Sequence, residues 1–585
     1  MYENLKSNSK FISASAFDCF GGWVLDTQFI VNMGASYLLA HGLGEKVADA
    51  VKKISIDKPG KYKIWAYTKD WAAQWKQDAA PGLFKLRVND WQSEPLGGEN
   101  KDWHWQDAGS CELNAGEADV SLIDMTGFEG RCAAVFLTQE PDFTPPSDKP
   151  EFEKFRSALC DDGAAPENAG HFDIVIAGGG ISGMAAAVCA AKNNLKTALI
   201  QDRFVLGGNN SSEVRVWLGG ETNFEPFPKI GSITRMFEPE KCAHYGHTNT
   251  AELYEDEKRL DIINKIPNLS LFLGHFVKEA SVENNTIKSV VCIDVKTYAE
   301  KIFTADLFVD ATGDATLGYA AGADYEVTTN GHMGMTNVWN VKNTGEAISF
   351  PRCPWAIDLT HCKFPGRYAE SDEAAELLLG GWYWESGLEH DPINRAEYAR
   401  DTNFRAMYGA FDALKNTDNV LKNYKLNYAN YIGGKRESRR LLGDVILTKS
   451  DVFTNRQFDD GCLPSTWSID VHYPKRECYP SFHEGDAFIT TAYFEGLPVS
   501  PYFVPYRCLY SRNINNLFMA GRNVSVSHDA LGTVRVMRTG GMMGEIVGYA
   551  AGLCKKHNTM PRKIYTDHLN EFIGLLKNTD KTEYL

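Results

Sequence analysis

Gly178, Gly180 and Gly183 stand at G-x-G-x-x-G spacing between the apolar run Phe172 to Ala177 and the Ala-rich run Met184 to Lys192. The first glycine permits a tight turn, the second lets backbone approach a pyrophosphate, and the third lets a helix pack closely on a strand. That chemistry is dinucleotide binding, with phosphates facing the helix N-terminus. Ser182 lies inside the same turn, and a second apolar run, Lys196 to Ile200, ends at Gln201 and Asp202. An acidic residue ordinarily meets the ribose hydroxyls at the first of these positions. Gln201 can make that hydrogen bond through its amide without the charge, so the ribose contact is expected to be shared with Asp202. The glycine turn alone does not tell NAD from FAD.

Other residues offer acid–base and anion chemistry. In the run Lys435-Arg436-Glu437-Ser438-Arg439-Arg440, Arg436 and Arg439 are expected three apart on one helical face, able to bind a carboxylate or a cofactor phosphate. A solvated helix face is the plainer reading. The segment Ser527 to Gly541 carries His528, Arg535, Arg538, Gly540 and Gly541 ahead of a helix. Trp382-Tyr383-Trp384-Glu385 and Trp467 to His472 combine aromatics with acids and a histidine. Aromatic platforms suit the C–H faces of sugars and carboxylates suit their hydroxyls, although aromatic clusters more often build core. Trp384, Glu385, His472 and Arg507 are substrate-pocket candidates, with Tyr506 beside them.

The elements that must position these groups can be read along the chain. Seven of the 13 Trp lie in the first 105 residues. There Lys61 to Tyr67 and Phe84 to Val88 alternate and Ala133 to Leu137 closes the set, the pattern of an all-β sandwich over residues 1–143. Residues 144–170 are rich in Pro, Asp and Gly and read as a linker with one short helix. From His171 strand and helix signals alternate, so residues 171–345 are expected to form the first part of an α/β Rossmann-like domain. Residues 346–500, irregular and rich in Trp, Pro and charge, are expected to be an inserted α+β substrate domain. Residues 501–556 complete the α/β domain and 557–585 form a helical tail.

Composition narrows the class. Lys and Arg sum to 60 against 76 Asp and Glu, a net charge of −16, which disfavours nucleic acid and anionic membranes as partners. The 585 residues, 23% charged and 43% hydrophobic, exclude disorder or coiled coil as the dominant state. Thirteen Cys without a C-x-x-C pair predict buried free thiols and no metal site. The start has no apolar h-region, and no transmembrane helix is predicted, so a cytoplasmic location is expected.

Three later segments bear on the cofactor: Leu206-Gly207-Gly208-Asn209-Asn210-Ser211-Ser212, the strand ending Ala311-Thr312-Gly313-Asp314, and Leu517 to Ala520 followed by Gly521-Arg522. At these residues the chain resembles FAD-dependent oxidoreductases with a glutathione-reductase-type FAD domain, in the fumarate-reductase-like group, over residues 171 to 555. The segments Val205 to Trp217, Gly434 to Leu441 and Leu531 to Arg538 look like a bacterial family found beside carbohydrate-degrading enzymes and sometimes labelled xanthan-lyase-related. The N-terminal unit, with Gly21-Gly22-Trp23 and Thr126 to Arg131, resembles a galactose-binding-like sandwich. The resemblance implies FAD held by the three segments and the glycine turn, and the amides that open the last helix, at Gly540 and Gly541, are expected to meet the flavin's pyrimidine edge.

With only one strand-linked G-x-G-x-x-G and no dithiol, the simplest reaction is hydride exchange between an organic substrate and flavin N5. The expected function is oxidation of a secondary alcohol of a carbohydrate-like small molecule or oligosaccharide. His528 is the expected base, and Arg535 or Arg538 supports the reduced flavin. Two alternatives stay open: redox-neutral glycoside cleavage through a transient keto-sugar, and a glycan-binding protein with a degenerate flavin domain.

Overall fold

The computed structural model describes residues 2–160, 165–479 and 487–578. Residues 161–164 of the expected linker, 480–486 of the expected insertion and 579–585 of the expected tail lie outside the described residues.

The alternating N-terminal runs form two four-stranded antiparallel sheets. One has the order Ser9–Ser13, Ala134–Thr138, Gly60–Thr68, His104–Leu113, and the other Ala50–Ile56, Gly116–Asp124, Phe84–Val88, Trp91–Gln92. Period-two patterning is the cause. In Phe84–Val88 the residues Phe84, Leu86 and Val88 are buried while Lys85 and Arg87 are not. The buried faces of both sheets meet in one core with Ile12, Ile64, Val120 and Val135.

The expected linker is partly structural. Its helix, Lys149–Cys160, places Phe152 and Phe155 on one face, and both are fully buried. Phe152 stacks on Tyr67 with ring centroids 4.5 Å apart, and Phe155 meets Phe136 edge-on at 5.0 Å. The outer face of the first sheet is covered in this way.

Next comes a mixed seven-stranded sheet whose parallel part runs Leu269–Leu273, Thr197–Gln201, Glu167–Ala177, Glu300–Asp310, Leu517–Met519. Its central strand begins ahead of the expected boundary at 171. The N-terminal half of Glu300–Asp310 pairs antiparallel with Thr286–Asp294, which pairs in turn with His275–Glu283. The central strands are apolar on both faces because helices cover the sheet. The helices Ile181–Lys192 and Met537–His557 pack so tightly that a Cβ on Gly544 would lie 2.1 Å from the Ser182 carbonyl oxygen.

Between Glu300–Asp310 and Leu517–Met519 the chain builds short paired strands around the helix Ala396–Asp412, which is buried along nearly its whole length. This helix docks on the N-terminal unit. Arg131 donates to Asp401 at 2.6 and 3.0 Å and to Glu397 at 2.8 Å, while Arg400 pairs with Asp26. Trp71 and Phe128 of the N-terminal unit pack on Trp355, each with ring centroids 5.2 Å away. The N-terminal sheets and the insertion therefore share a hydrophobic core and a buried ionic seam.

Ten of the 13 cysteines are buried free thiols, and Cys19, Cys160 and Cys242 are exposed. Among the described residues no helix is long and apolar enough to cross a membrane.

Candidate active site

A cleft of about 540 Å³ opens where the glycine turn, the Leu206 to Ser212 loop and the Ala311 to Asp314 segment meet. It lies at the carboxyl ends of the parallel strands, where open α/β sheets bind ligands. Gly178 sits at φ +105°, and a Cβ there would lie 2.2 Å from the Ala311 carbonyl oxygen. A Cβ on Gly183 would lie 1.8 Å from the Gly178 carbonyl oxygen. Gly180 differs: its φ of −69° is ordinary, and a Cβ would meet only Gly208 Cα, at 3.8 Å. The space above Gly180 is cleft, so its missing side chain leaves room for a ligand and not for neighbouring protein.

Gln201 is turned toward the glycine turn. Its Oε1 accepts from the Gly179 N–H at 2.7 Å and its Nε2 donates to the Val205 carbonyl at 3.3 Å. Asp202, exposed at the cleft wall, is then the acid available to a ribose. Gly207, Gly208 and Asn209 line the cleft, and Asn209 donates to the Lys435 carbonyl at 3.2 Å, tying this loop to the insertion. Ser211 is buried behind the loop, its hydroxyl donating to the Gly208 carbonyl at 2.8 Å.

Ala311, Thr312, Gly313 and Asp314 form the facing wall. Asp314 accepts from Lys435 at 2.6 Å and from Arg522 and Ser438 at 2.8 Å each. Burial would raise its pKa, but the Lys435 and Arg522 charges outweigh burial and hold the carboxyl well below the usual range. Ser182 is where three segments converge, because a Cβ on Gly521 or Gly540 would lie 3.2 or 2.6 Å from its hydroxyl. Gly541 faces away, toward Thr234.

The basic run does not form the expected helix. It lies between the two-residue strands Gly434–Lys435 and Arg440–Leu441, so Arg436 and Arg439 serve different places. Arg439 donates to the Asp314 carbonyl at 2.9 Å and lies over the Tyr319 ring beside the cleft. Arg436 donates to Thr336 at 2.7 Å and the Trp382 carbonyl at 2.9 Å, and stands 3.5 Å from Glu385.

Arg535 reaches both regions. It lines the cleft, and its Nη2 donates to Asp470 Oδ2 at 2.8 Å and lies 3.4 Å from His472 Nε2. The other ring nitrogen of His472, Nδ1, is 2.5 Å from Oε2 of the fully buried Glu385. Burial would raise Glu385, yet Arg436 and His472 hold it well below the carboxylate range. An aromatic collar surrounds this cluster: Trp382 lies 4.9 Å from the His472 ring, and Trp467 stands 6.2 Å from Trp217, which stacks on His244 at 4.5 Å.

His528 heads the helix His528–Val534, of which Arg535 is the C-cap, two turns along. Its Nδ1 is 2.8 Å from Oε2 of Glu437, which also accepts from the Met333 N–H at 3.0 Å and from Arg440. Among the described residues Nε2 of His528 has no hydrogen-bond partner, and the side chain is 23% exposed.

Four candidates sit elsewhere. Arg538 is engaged by Glu238 at 2.7 Å and by the Leu218 and Gly220 carbonyls. Trp384 is core, packed on Trp339 with centroids 5.0 Å apart. Arg507 pairs with Asp459 and Asp460 under Tyr565, and Tyr506 is buried against Phe572. Asp470, Trp382 and Lys435 were not singled out as site residues from sequence. For Asp470 a signal existed: it alternates with His472 on one face of the strand Ile469–Pro474.

A family model described as FAD dependent oxidoreductase matches residues 173–573. The chain belongs to that family. FAD is its cofactor, and the open cradle above Gly180 fits a pyrophosphate. No curated protein matches this oxidoreductase. Among solved structures it is similar to the flavin-dependent monooxygenase PieE, at 12% identity and TM-score 0.22, covering 30% of this chain and 36% of that one. It thus spans well under two thirds of PieE. It is also similar to a quinol fumarate reductase FrdA variant from E. coli, at 13% identity and TM-score 0.30, covering 69% and 74%. A family 35 carbohydrate-binding module from Clostridium thermocellum matches at 13% identity and TM-score 0.18, covering 22% of this chain and 96% of the module.

Proposed function

We propose that this oxidoreductase oxidises a secondary alcohol of a carbohydrate-like substrate, with His528 taking the hydroxyl proton. FAD supplies the hydride acceptor at its N5. The observation that carries the reading is one helix with two roles: it begins at His528, pinned by Glu437, and ends at Arg535, which lines the cofactor cleft. A base needs a free lone pair. With Nδ1 held as donor to a carboxylate, Nε2 of His528 carries it, whereas both ring nitrogens of His472 are engaged.

The collar of Trp382, Trp467 and Trp217 suits the apolar faces of a pyranose ring. Its polar floor is balanced in charge, Arg436 against Glu385 and Arg535 against Asp470, which favours a neutral sugar over a sugar acid. We place the chain beside the family members sometimes labelled xanthan-lyase-related, and read the N-terminal unit as a galactose-binding-like sandwich that walls the insertion. The ionic seam through Arg131 and Arg400 supports that role.

Anaerobic stopped-flow bleaching of the flavin against a panel of sugars, glycosides and uronic acids tests the reading. Bleaching by neutral sugars or glycosides is the expected result. Bleaching by none of the panel, or by uronic acids alone, would overturn it.

A further inference from the structure

We propose that His557, His568 and Glu571 form a transition-metal site of the Zn²⁺ class, at the junction between the last helix of the flavin domain and the C-terminal helix. The site is independent of the flavin chemistry proposed above. His557 ends the helix Met537–His557, while His568 and Glu571 lie three residues apart on Pro561–Lys577, with Nδ1 and Oε2 4.0 Å from each other. One ligand atom from each of the three falls within 4.8 Å of the others.

The geometry is more than an ion pair. Glu571 Oε2 lies 2.7 Å from His557 Nε2 and 4.0 Å from His568 Nδ1, while Lys556 occupies the other oxygen, Oε1, at 2.8 Å. A His–Glu pair needs one imidazole, and here two are adjacent; their rings are stacked with centroids 3.9 Å apart and planes 14° from parallel, so one ring must turn before both lone pairs meet one ion. The backbone is also bent here. His568 has φ −130° and ψ 17° inside the helix, although the proline and the glycine of that helix are Pro561 and Gly574, each several residues away. The bend falls at His568, which lies beside His557.

Zn²⁺ takes imidazole nitrogen at 2.0–2.1 Å and carboxylate oxygen at 2.0–2.2 Å, so tetrahedral donor atoms stand roughly 3.3–3.5 Å apart. Turning the His568 ring about its Cβ–Cγ bond and letting the His557–Glu571 contact open slightly would give that spacing. A nitrogen–oxygen donor set suits Zn²⁺, Ni²⁺ and Cu²⁺ over Mg²⁺ or Ca²⁺. Three protein ligands leave one position for water, and the ion ties the C-terminal helix to the flavin domain.

The test titrates Co²⁺, then Zn²⁺, into the full-length, FAD-loaded protein after treatment with a chelator. The expected result is one equivalent bound, with visible cobalt bands to the red of the flavin absorption and a thermal midpoint raised by Zn²⁺. The variants H557N, H568N and E571Q should each weaken Co²⁺ binding at least about tenfold, in line with the loss of one ligand. His568 makes the longer contact to Glu571 and a ring stack on His557, with no hydrogen bond between them, so H568N is the variant expected to keep its fold, checked by circular dichroism and flavin content. Absence of stoichiometric binding, or binding unchanged in folded H568N, would overturn the site.

Discussion

Arg535 Nη2 donates to Asp470 Oδ2 at 2.8 Å, and this pair joins the cleft at the glycine turn to the aromatic collar. Burial would raise Asp470, but the His472 hydrogen bond and the Arg535 charge leave it lowered, as Arg436 and His472 do for Glu385. A carboxylate whose pKa is depressed by folding adds stability that is fully present above its unfolded value and lost as pH falls. The ordinary values are 3.8 for Asp470 and 4.5 for Glu385. Stability should therefore fall as pH drops below about 4.5. E385Q should show a shallower dependence between about pH 5 and 3, read by denaturant unfolding at each pH. An unchanged slope would remove Glu385 from this account.

His528 should matter to chemistry and little to cofactor loading. In H528N the rate of flavin reduction by substrate is expected to fall about 10²–10⁴-fold with FAD content unchanged. E437Q should produce a smaller loss and a shifted pH–rate profile, since Glu437 orients the ring without meeting substrate. A larger loss in H472N than in H528N would transfer the role of base to His472.

The three glycines of the turn should separate by mechanism. G180A has room for its methyl and an ordinary φ, so the protein should fold while FAD affinity falls at least about 100-fold, roughly 2.7 kcal/mol. G183A must push the Gly178 carbonyl away and should fold poorly. Flavin retention on gel filtration alongside circular dichroism distinguishes the two, and a G180A protein that keeps its flavin would contradict the cradle.

Removing the N-terminal unit should not yield a working flavin domain. A chain beginning at residue 165 exposes Trp355 and leaves Arg400 and Asp401 without Asp26 and Arg131, and is expected to be insoluble or free of flavin. The single change R131M removes two of the three hydrogen bonds to buried Asp401, leaving it Arg400 at 3.0 Å, and should cost about 3 kcal/mol by denaturant unfolding. A soluble, yellow truncation product would show the seam to be dispensable.

Much of the cleft at the glycine turn was legible because it is written locally. Gly178, Gly180 and Gly183 answer to one turn, and Phe172 to Ala177 and Lys196 to Ile200 answer to period and apolar content. The basic run departs from its expected helix for a physical reason: charge spacing looks helical, but Gly433 and Gly434 and the pairing of Lys435 with Met335 draw it into a strand. Trp384 and Trp382, two residues apart, differ in role because one faces the core of the insertion and the other the His472 ring. No local pattern separates them.

The sequence by itself determined the nucleotide fold, the split of that fold around an insertion and the β-rich start, since turn chemistry and hydrophobic period act over a few neighbouring residues. Tertiary structure alone decided which charges meet. Arg131 with Asp401, Arg535 with Asp470, Glu437 with His528 and His557 with His568 are joined by folding. Their pairing depends on how burial and charge balance across elements distant in the chain.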